Sequence, residues 1–196
     1  MSLSLNQNVI YKDEDDMKLD VVQVRLVKDA PILSDFRINS PEAAVKLLGE
    51  EMSQLDREYV CVINLRSDGT PINCSIVSVG SIDKSVVSCS NLFKTAILSN
   101  ASSIIVLHNH PSSSLEPSDQ DINITRRIMI GAKLMDIQMM DHIIVGAGNT
   151  EQYYSFREFD RMDYIERAVN RELNGIIYTT GSLDSVAEKS EEILEM

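Results

Sequence analysis

Residues 104–121 read IIVLHNHPSSSLEPSDQD, and this stretch carries the clearest strand signal and the clearest chemistry of the chain. An unbroken aliphatic run leads from Ile104 directly into His108, which is typical of a buried strand that presents side chains at its end. Residues two apart on a strand point to the same side, so His108 and His110 can converge on one point. We therefore predict a strand, then a proline-containing loop, then a helix that begins at Ser118.

A third candidate ligand follows on the predicted helix. Asp121 comes eleven residues after His110 and lies in the first helical turn, where its carboxylate can turn back toward the strand end. Two histidine nitrogens and one carboxylate oxygen form the protein ligands of many catalytic zinc sites, which keep a fourth position for water. Ser118 and Asp121 also have the spacing of a capping box, which needs no metal. The combination of strand, histidines, prolines and acid favours a metal site.

Helical and strand patterns precede this stretch. Ser40–Glu42 supplies an N-cap and a first-turn proline for a helix. The β-rich runs Tyr59–Leu65 and Ile72–Val79 are separated by a Ser-Asp-Gly-Thr turn sequence, which predicts a hairpin. Ser90 is placed to cap a second helix. We predict that the apolar side of that helix consists of Leu92, Phe93, Ala96 and Ile97.

The elements that follow complete an α/β pattern. The helix that begins at Ser118 is predicted to continue to about Leu134, and Ile137–Val145 has the composition of another strand. A polar helical segment then extends to about Leu173. Near the start of the chain, Val21–Val27 alternates apolar and polar residues and predicts one more strand. This order predicts an α-β-α fold with a central mixed sheet flanked by helices.

Length and composition predict one domain with appendages. The chain has 196 residues, of which 43% are hydrophobic, and this is enough for a sizeable core. Residues 1–20 are polar and acidic and are expected to form a mobile leader, because ordering them would bury little apolar surface. We assign the folded domain to residues 21–158. Residues 159–196 are assigned to a polar C-terminal helical extension and tail.

Charge and cysteine content narrow the function classes. Thirty acidic and 18 basic residues give a net charge of −12, which argues against nucleic acid as the main partner because phosphate binding needs clustered cations. The three cysteines are odd in number and widely spaced, as expected for reduced thiols in the cytoplasm. No apolar run reaches the ~20 residues of a membrane span, and no secretory signal is evident. We expect a cytoplasmic protein without a membrane segment.

The spacing His108-x-His110-x7-Ser118-x2-Asp121 resembles the JAMM motif of MPN-plus metalloproteases. The likeness covers roughly residues 37–158 and implies a cytidine-deaminase-like α-β-α JAB/MPN domain. Three further segments are similar to the RadC branch of this superfamily: Leu107–Ser112, Pro117–Ile122 and Asp141–Gly146.

The resemblance also implies an activity and a set of roles. It implies a zinc-dependent hydrolase, a metallopeptidase or isopeptidase that cleaves an amide bond of a peptide or protein. Ser118 would position the oxygen of the tetrahedral intermediate. The family uses an upstream glutamate as general base, and Glu58 fits that place, the alternative being a surface acid next to Arg57. His142 is expected to be a packed or hydrogen-bonded histidine. The implied ligands of one Zn²⁺ per chain are His108, His110 and Asp121.

This chain departs from the family pattern in one loop and at the start of one helix, and two other functions remain as alternatives. RadC relatives commonly carry a glycine and an extra proline in the loop that is Ser112–Glu116 here, and many have an acid where this chain has Ser90-Asn91. The helix-hairpin-helix region that precedes the domain in RadC proteins is expected to be absent. The alternatives are a non-catalytic MPN-type binding module and a RadC-like accessory role in DNA repair or mobile elements.

Overall fold

A computed structural model of the chain describes residues 36–80 and 87–175, together with Leu26. The strand predicted at Val21–Val27 lies outside the described residues apart from Leu26, as do the leader and the tail beyond residue 175. The division of the chain into leader, domain and extension therefore stays a prediction.

The described residues form a mixed five-stranded sheet with four helices packed on it. The strands are β1 (Tyr59–Leu65), β2 (Pro71–Val79), β3 (Ser103–His110), β4 (Gln138–Gly146) and β5 (Asn149–Ser155). The helices are α1 (Pro41–Ser53), α2 (Cys89–Leu98), α3 (Asp119–Leu134) and α4, described over residues 161–175. The strand order is β2-β1-β3-β4-β5, in which only β3 and β4 are parallel.

The two faces of the sheet carry separate cores, because side chains alternate along each strand. On one face, Ile63, Leu107 and their neighbours pack against α1. On the other face, Val106 and Ile144 pack with apolar residues of α2, α3 and α4. This arrangement confirms the predicted α-β-α fold class.

Most predicted elements are confirmed, and three details are wrong. Ser88, and not Ser90, caps α2, because the Ser88 hydroxyl accepts a hydrogen bond from the Asn91 backbone N–H. Ile97 is 52% exposed and does not belong to the buried side of that helix. Strand β5 was not predicted, since its polar residues hide the alternation of an edge strand. Among the described residues, no helix combines the length and apolarity that crossing a membrane requires.

The fold brings three chain segments together at one end of the central strand. Strand β3 lies between β1 and β4, and all eight of its residues are buried. Val60 of β1 pairs with His108, and His142 of β4 pairs with Val106. Helix α3 begins after the loop that follows β3, so its first turn lies near the ends of these strands.

Candidate metal centre

The two histidines of β3 converge as the strand alternation predicts. His108 and His110 are both buried, and their Nε2 atoms lie 2.8 Å apart. The strand extends through His110, beyond the aliphatic run that indicated it. The backbone of the strand therefore sets the direction in which both imidazole side chains point.

Asp121 completes the cluster from the first turn of α3. Its Oδ1 lies 3.3 Å from His108 Nε2, and its Oδ2 lies 3.6 Å from His110 Nε2. The capping box is also present, because Ser118 donates from its backbone N–H and its hydroxyl to Oδ2, each at 2.7 Å. The two roles divide between the two oxygens: Oδ2 caps the helix, while the buried Oδ1 has no hydrogen-bond partner among the described residues.

Hydrogen bonding shows which atom of His110 faces the cluster. Its Nδ1 lies 2.7 Å from the carbonyl oxygen of Ser114, and a carbonyl can only accept. Nδ1 therefore carries the hydrogen, and a neutral His110 turns the lone pair of Nε2 toward Asp121. Acceptor atoms that face one another without a hydrogen between them need a cation, either a proton or a metal ion.

The donor set fits a divalent transition metal. The ligating atoms of His108, His110 and Asp121 all lie within 4.8 Å of one another. Imidazole nitrogen and carboxylate oxygen are ordinary ligands of zinc, and the partnerless Oδ1 supplies the negative charge that such an ion requires. The side chain of His110 is 10% exposed, whereas His108 is wholly buried, so the site opens to solvent on the His110 side.

The electrostatics of the cluster favour an ionised acid. Burial alone would raise the pKa of Asp121, but the contacts with His108 and His110 outweigh burial and hold the pKa well below its usual range. Burial lowers the pKa of His108. Burial also disfavours charged His110, yet the contacts with Asp121 and the Ser114 carbonyl more than offset this effect and raise its pKa. A metal ion would therefore compete with a proton at His110, and we expect affinity to increase with pH.

Glu58 lies at the edge of this cluster. It directly precedes β1 and is half-buried. Burial is the main influence on the pKa of His108, which is lowered overall, and the negative charge of Glu58 is the weakest influence on the pKa of both histidines. The Asn109 side chain holds the backbone on both sides of Glu58: its Oδ1 accepts from Tyr59 N–H at 2.8 Å, and its Nδ2 donates to the Arg57 carbonyl at 3.0 Å. The predicted general base is thus near the predicted ligands.

Comparison with known proteins decides the family. The RadC-like JAB domain family matches residues 38–162, nearly the range that the motifs indicate. The chain belongs to the RadC-like JAB domain family. A UPF0758 protein of Desulfitobacterium hafniense is 41% identical to this RadC-like chain over 134 residues, which cover 68% of this chain and 57% of that protein. UPF0758 proteins of Caldanaerobacter subterraneus and Chloroflexus aggregans are each 37% identical, over 62% and 63% of this chain and 54% and 52% of theirs. The chain spans about half the length of the curated relatives it matches.

In this RadC-like domain Ser118 serves the helix cap. Its hydroxyl hydrogen is donated to Asp121, and its oxygen accepts from the Asp121 N–H at 3.2 Å. Contact with an oxyanion requires the hydroxyl to turn away from Asp121, so that role stays a prediction.

The loop between β3 and α3 packs against a glycine. A Cβ on Gly146 would lie 3.3 Å from the Ser113 carbonyl oxygen, so this close approach favours glycine. Ser113 itself has φ of 63°, a conformation that glycine adopts without strain. This loop thus holds a serine in a left-handed conformation.

Sequence reasoning missed three contributors to the RadC-like site. They are the Ser114 carbonyl, the Asn109 amide and the Thr125 hydroxyl, which lies 2.6 Å from His142 Nδ1. Thr125 follows Asp121 by four residues, a spacing that places both on one side of a helix and gives a usable signal. Nothing in the sequence indicates the bonds of Asn109.

The basic residues of α3 are partly neutralised by α4. Arg126 forms an ion pair with Glu172, and Lys133 with Glu166 at 2.6 Å. These pairs offset part of the positive charge on this surface.

Proposed function

We propose that this RadC-like domain binds one zinc ion through His108, His110 and Asp121 and hydrolyses amide bonds in a peptide or protein. The observation that carries the proposal is Asp121 Oδ1, a buried carboxylate oxygen that lies 3.3 Å from His108 Nε2 and has no hydrogen-bond partner among the described residues. If Asp121 served only to cap helix α3, Oδ2 alone would be sufficient.

The chemistry follows from the residues around the opening. When bound in such a site, zinc lowers the pKa of a coordinated water to about 7 and polarises a carbonyl group. Substrate would approach on the His110 side, because that histidine alone of the three proposed ligands is partly open to solvent.

Glu58 is proposed to take a proton from the attacking water and deliver it to the leaving amine. Its position beside the cluster supports this role, since it directly precedes β1, in which Val60 pairs with His108. The Asn109 clamp on the backbone of Arg57 and Tyr59 keeps the intervening residue in place. Arg57 itself is paired with Asp56 at 3.1 Å.

The test compares Glu58→Gln with Asp56→Asn, which removes a nearby acid that pairs with Arg57. Each zinc-loaded chain is incubated with a peptide library made from a proteome digest, and new N-termini are counted by mass spectrometry. We expect Glu58→Gln to keep its zinc and lose roughly 100- to 10,000-fold in cleavage rate, the usual contribution of a general base. Asp56→Asn should cleave like the wild type.

Two outcomes would contradict parts of this proposal. Unchanged cleavage by fully loaded Glu58→Gln would remove the general base assignment. Zinc-loaded wild type that cleaves no peptide or folded protein would favour a non-catalytic MPN-type binding module.

A further inference from the structure

The third histidine of the chain lies directly behind the proposed metal centre. His142 is fully buried, and its Nε2 is 2.7 Å from His108 Nδ1. Its other ring nitrogen, Nδ1, lies 2.6 Å from the hydroxyl of Thr125. That hydroxyl donates to the backbone carbonyl of Asp121 at 2.6 Å. The chain of contacts therefore begins at one proposed ligand and ends at another.

The hydrogens in this chain can be placed by elimination. The Asp121 carbonyl can only accept, so the single hydroxyl hydrogen of Thr125 points to it. The Thr125 oxygen must then accept from His142 Nδ1–H. A neutral His142 with hydrogen on Nδ1 has its lone pair on Nε2, which accepts from His108 Nδ1–H. His108 is left with a lone pair on Nε2, the atom that faces Asp121.

We propose that Thr125 and His142 are positioning residues that fix the tautomer and ring orientation of His108 for metal binding. We call the series Asp121 carbonyl, Thr125, His142 and His108 the His142 relay. The inference rests on the metal centre proposed above. Second partners of ligating histidines act in this way at metal sites, where their loss typically lowers metal affinity 10- to 100-fold.

Two further contacts support the relay. The ring of Phe156 stacks on His142 with 4.9 Å between centroids and an interplanar angle of 14°, which fixes the plane of the ring that orients His108. His110 is oriented differently, by the Ser114 carbonyl at the solvent side. The orientation of the buried His108 thus depends on side chains, whereas the orientation of His110 depends on the backbone of the loop.

The chain offers a direct spectroscopic test, because all three of its histidines belong to this cluster. Long-range ¹H–¹⁵N spectra of the untagged, ¹⁵N-histidine-labelled chain report which ring nitrogen carries hydrogen, with and without zinc. We expect the Nδ1–H form at His142 and, in the zinc-loaded chain, at His108. The Nε2–H form at His142 would overturn the relay.

Variants at Thr125 test the effect on affinity. Thr125→Val removes the hydroxyl and should raise the zinc dissociation constant roughly 10- to 100-fold, measured by chelator competition. Thr125→Ser keeps the hydroxyl and should bind like the wild type. Thr95→Val is the matched control, since Thr95 is a helix threonine whose hydroxyl contacts Asn64 and the Leu92 carbonyl.

The outcomes separate this inference from the proposed function. Unchanged zinc affinity in folded Thr125→Val would overturn the relay and leave the metal centre intact. A wild type that binds no zinc would contradict the metal centre, while the spectrum of the metal-free chain would still decide the tautomer of His142. If Thr125→Val fails to fold, the wild-type spectra carry the test alone.

Discussion

Two buried polar clusters lie on the same face of the sheet, at opposite ends of β3, and they differ in chemistry. One contains Asn64, which pairs with Ile104 in the strand register, and the other contains His108, His110 and Asp121. Each has one buried side-chain oxygen without a hydrogen-bond partner in the described part of the chain, Asn64 Oδ1 and Asp121 Oδ1.

The hydrogen bonds of the asparagine cluster are made between neutral side chains. Asn64 Nδ2 donates to Asn73 Oδ1 at 2.6 Å and to the Thr95 hydroxyl at 3.1 Å, and Asn73 Nδ2 donates to the Ser99 hydroxyl at 2.7 Å. Each amide supplies both donors and an acceptor, so one spare oxygen is only a modest cost. In the histidine cluster, the lone pairs of the two imidazoles and the carboxylate of Asp121 face one another with no donor between them. A buried acceptor without a hydrogen-bond partner therefore indicates a bound cation only where the atoms around it are acceptors too.

The largest effect should come from removing the charge at Asp121. At a zinc concentration about 1,000 times the dissociation constant, zinc should stabilise the wild type against unfolding by about 4 kcal/mol. Asp121→Asn keeps the shape of the side chain and should lose most of this increment, because a neutral amide is a poor zinc ligand. Denaturant titration with and without zinc measures the difference. If zinc stabilised Asp121→Asn as much as it stabilises the wild type, the claim that only the histidine cluster binds a metal through its partnerless oxygen would be refuted.

The reciprocal substitution, Asn64→Asp, should destabilise the chain without affecting zinc. It removes the donors to Asn73 and Thr95 and buries a carboxylate without a cation. We expect a loss of at least about 3 kcal/mol in the free energy of unfolding near neutral pH. The zinc increment should equal that of the wild type. An Asn64→Asp chain as stable as the wild type would show that this cluster tolerates charge.

Asp141 is a buried carboxylate whose two oxygens both accept hydrogen bonds from groups of the protein. Its Oδ1 accepts from the backbone N–H groups of His142 and Arg157, and its Oδ2 accepts from the Ser155 hydroxyl. Burial nevertheless raises its pKa from the usual 3.8 to about 6, although these hydrogen bonds oppose the rise.

This raised pKa predicts a pH dependence. Between about pH 4 and pH 6 the folded chain keeps a proton that the unfolded chain has lost, so the free energy of unfolding should fall as pH rises through that window, by no more than about 3 kcal/mol. Asp141→Asn should lack this component in urea titrations across the same range. An identical pH profile in both chains would contradict the assignment.

The smallest effect concerns the loop between β3 and α3, in which the Ser114 carbonyl lies against His110 Nδ1. Ser113→Gly should stabilise the chain by about 0.5 to 1 kcal/mol, because glycine adopts the positive φ of this position without strain. Ser112→Gly is the matched control and should not stabilise it, since Ser112 is not among the residues with positive φ. Thermal unfolding of the two variants measures the difference, and equal shifts would contradict the strain at Ser113.

The sequence predicted the parts of the site that depend on local periodicity. The spacing of His108 and His110 on a strand and of Ser118 and Asp121 on a helix is fixed by backbone geometry, so both pairs could be read directly. From the sequence, the capping box and a metal site are alternatives. In the structure, one oxygen of Asp121 caps the helix while the other has no hydrogen-bond partner among the described residues.

What could not be predicted depends on the pairing of distant segments. The contact of His142 with His108 follows from the parallel register of β3 and β4, which no local pattern specifies. The Asn109 bonds link residues 50 or more positions apart. Strand β5 forms because β4 offers an edge to pair with, in spite of its polar composition.

The most direct test of the central claim is the metal content of the purified chain by elemental mass spectrometry, beside His110→Ala, Asp121→Ala and Asp119→Ala. Asp119 is an exposed acid in the same helical turn and is the matched control. We predict one zinc per chain in the wild type and in Asp119→Ala, and its loss in the other two variants. A folded wild type that takes up no zinc when it is supplied, or Asp121→Ala with a full complement, would contradict the account.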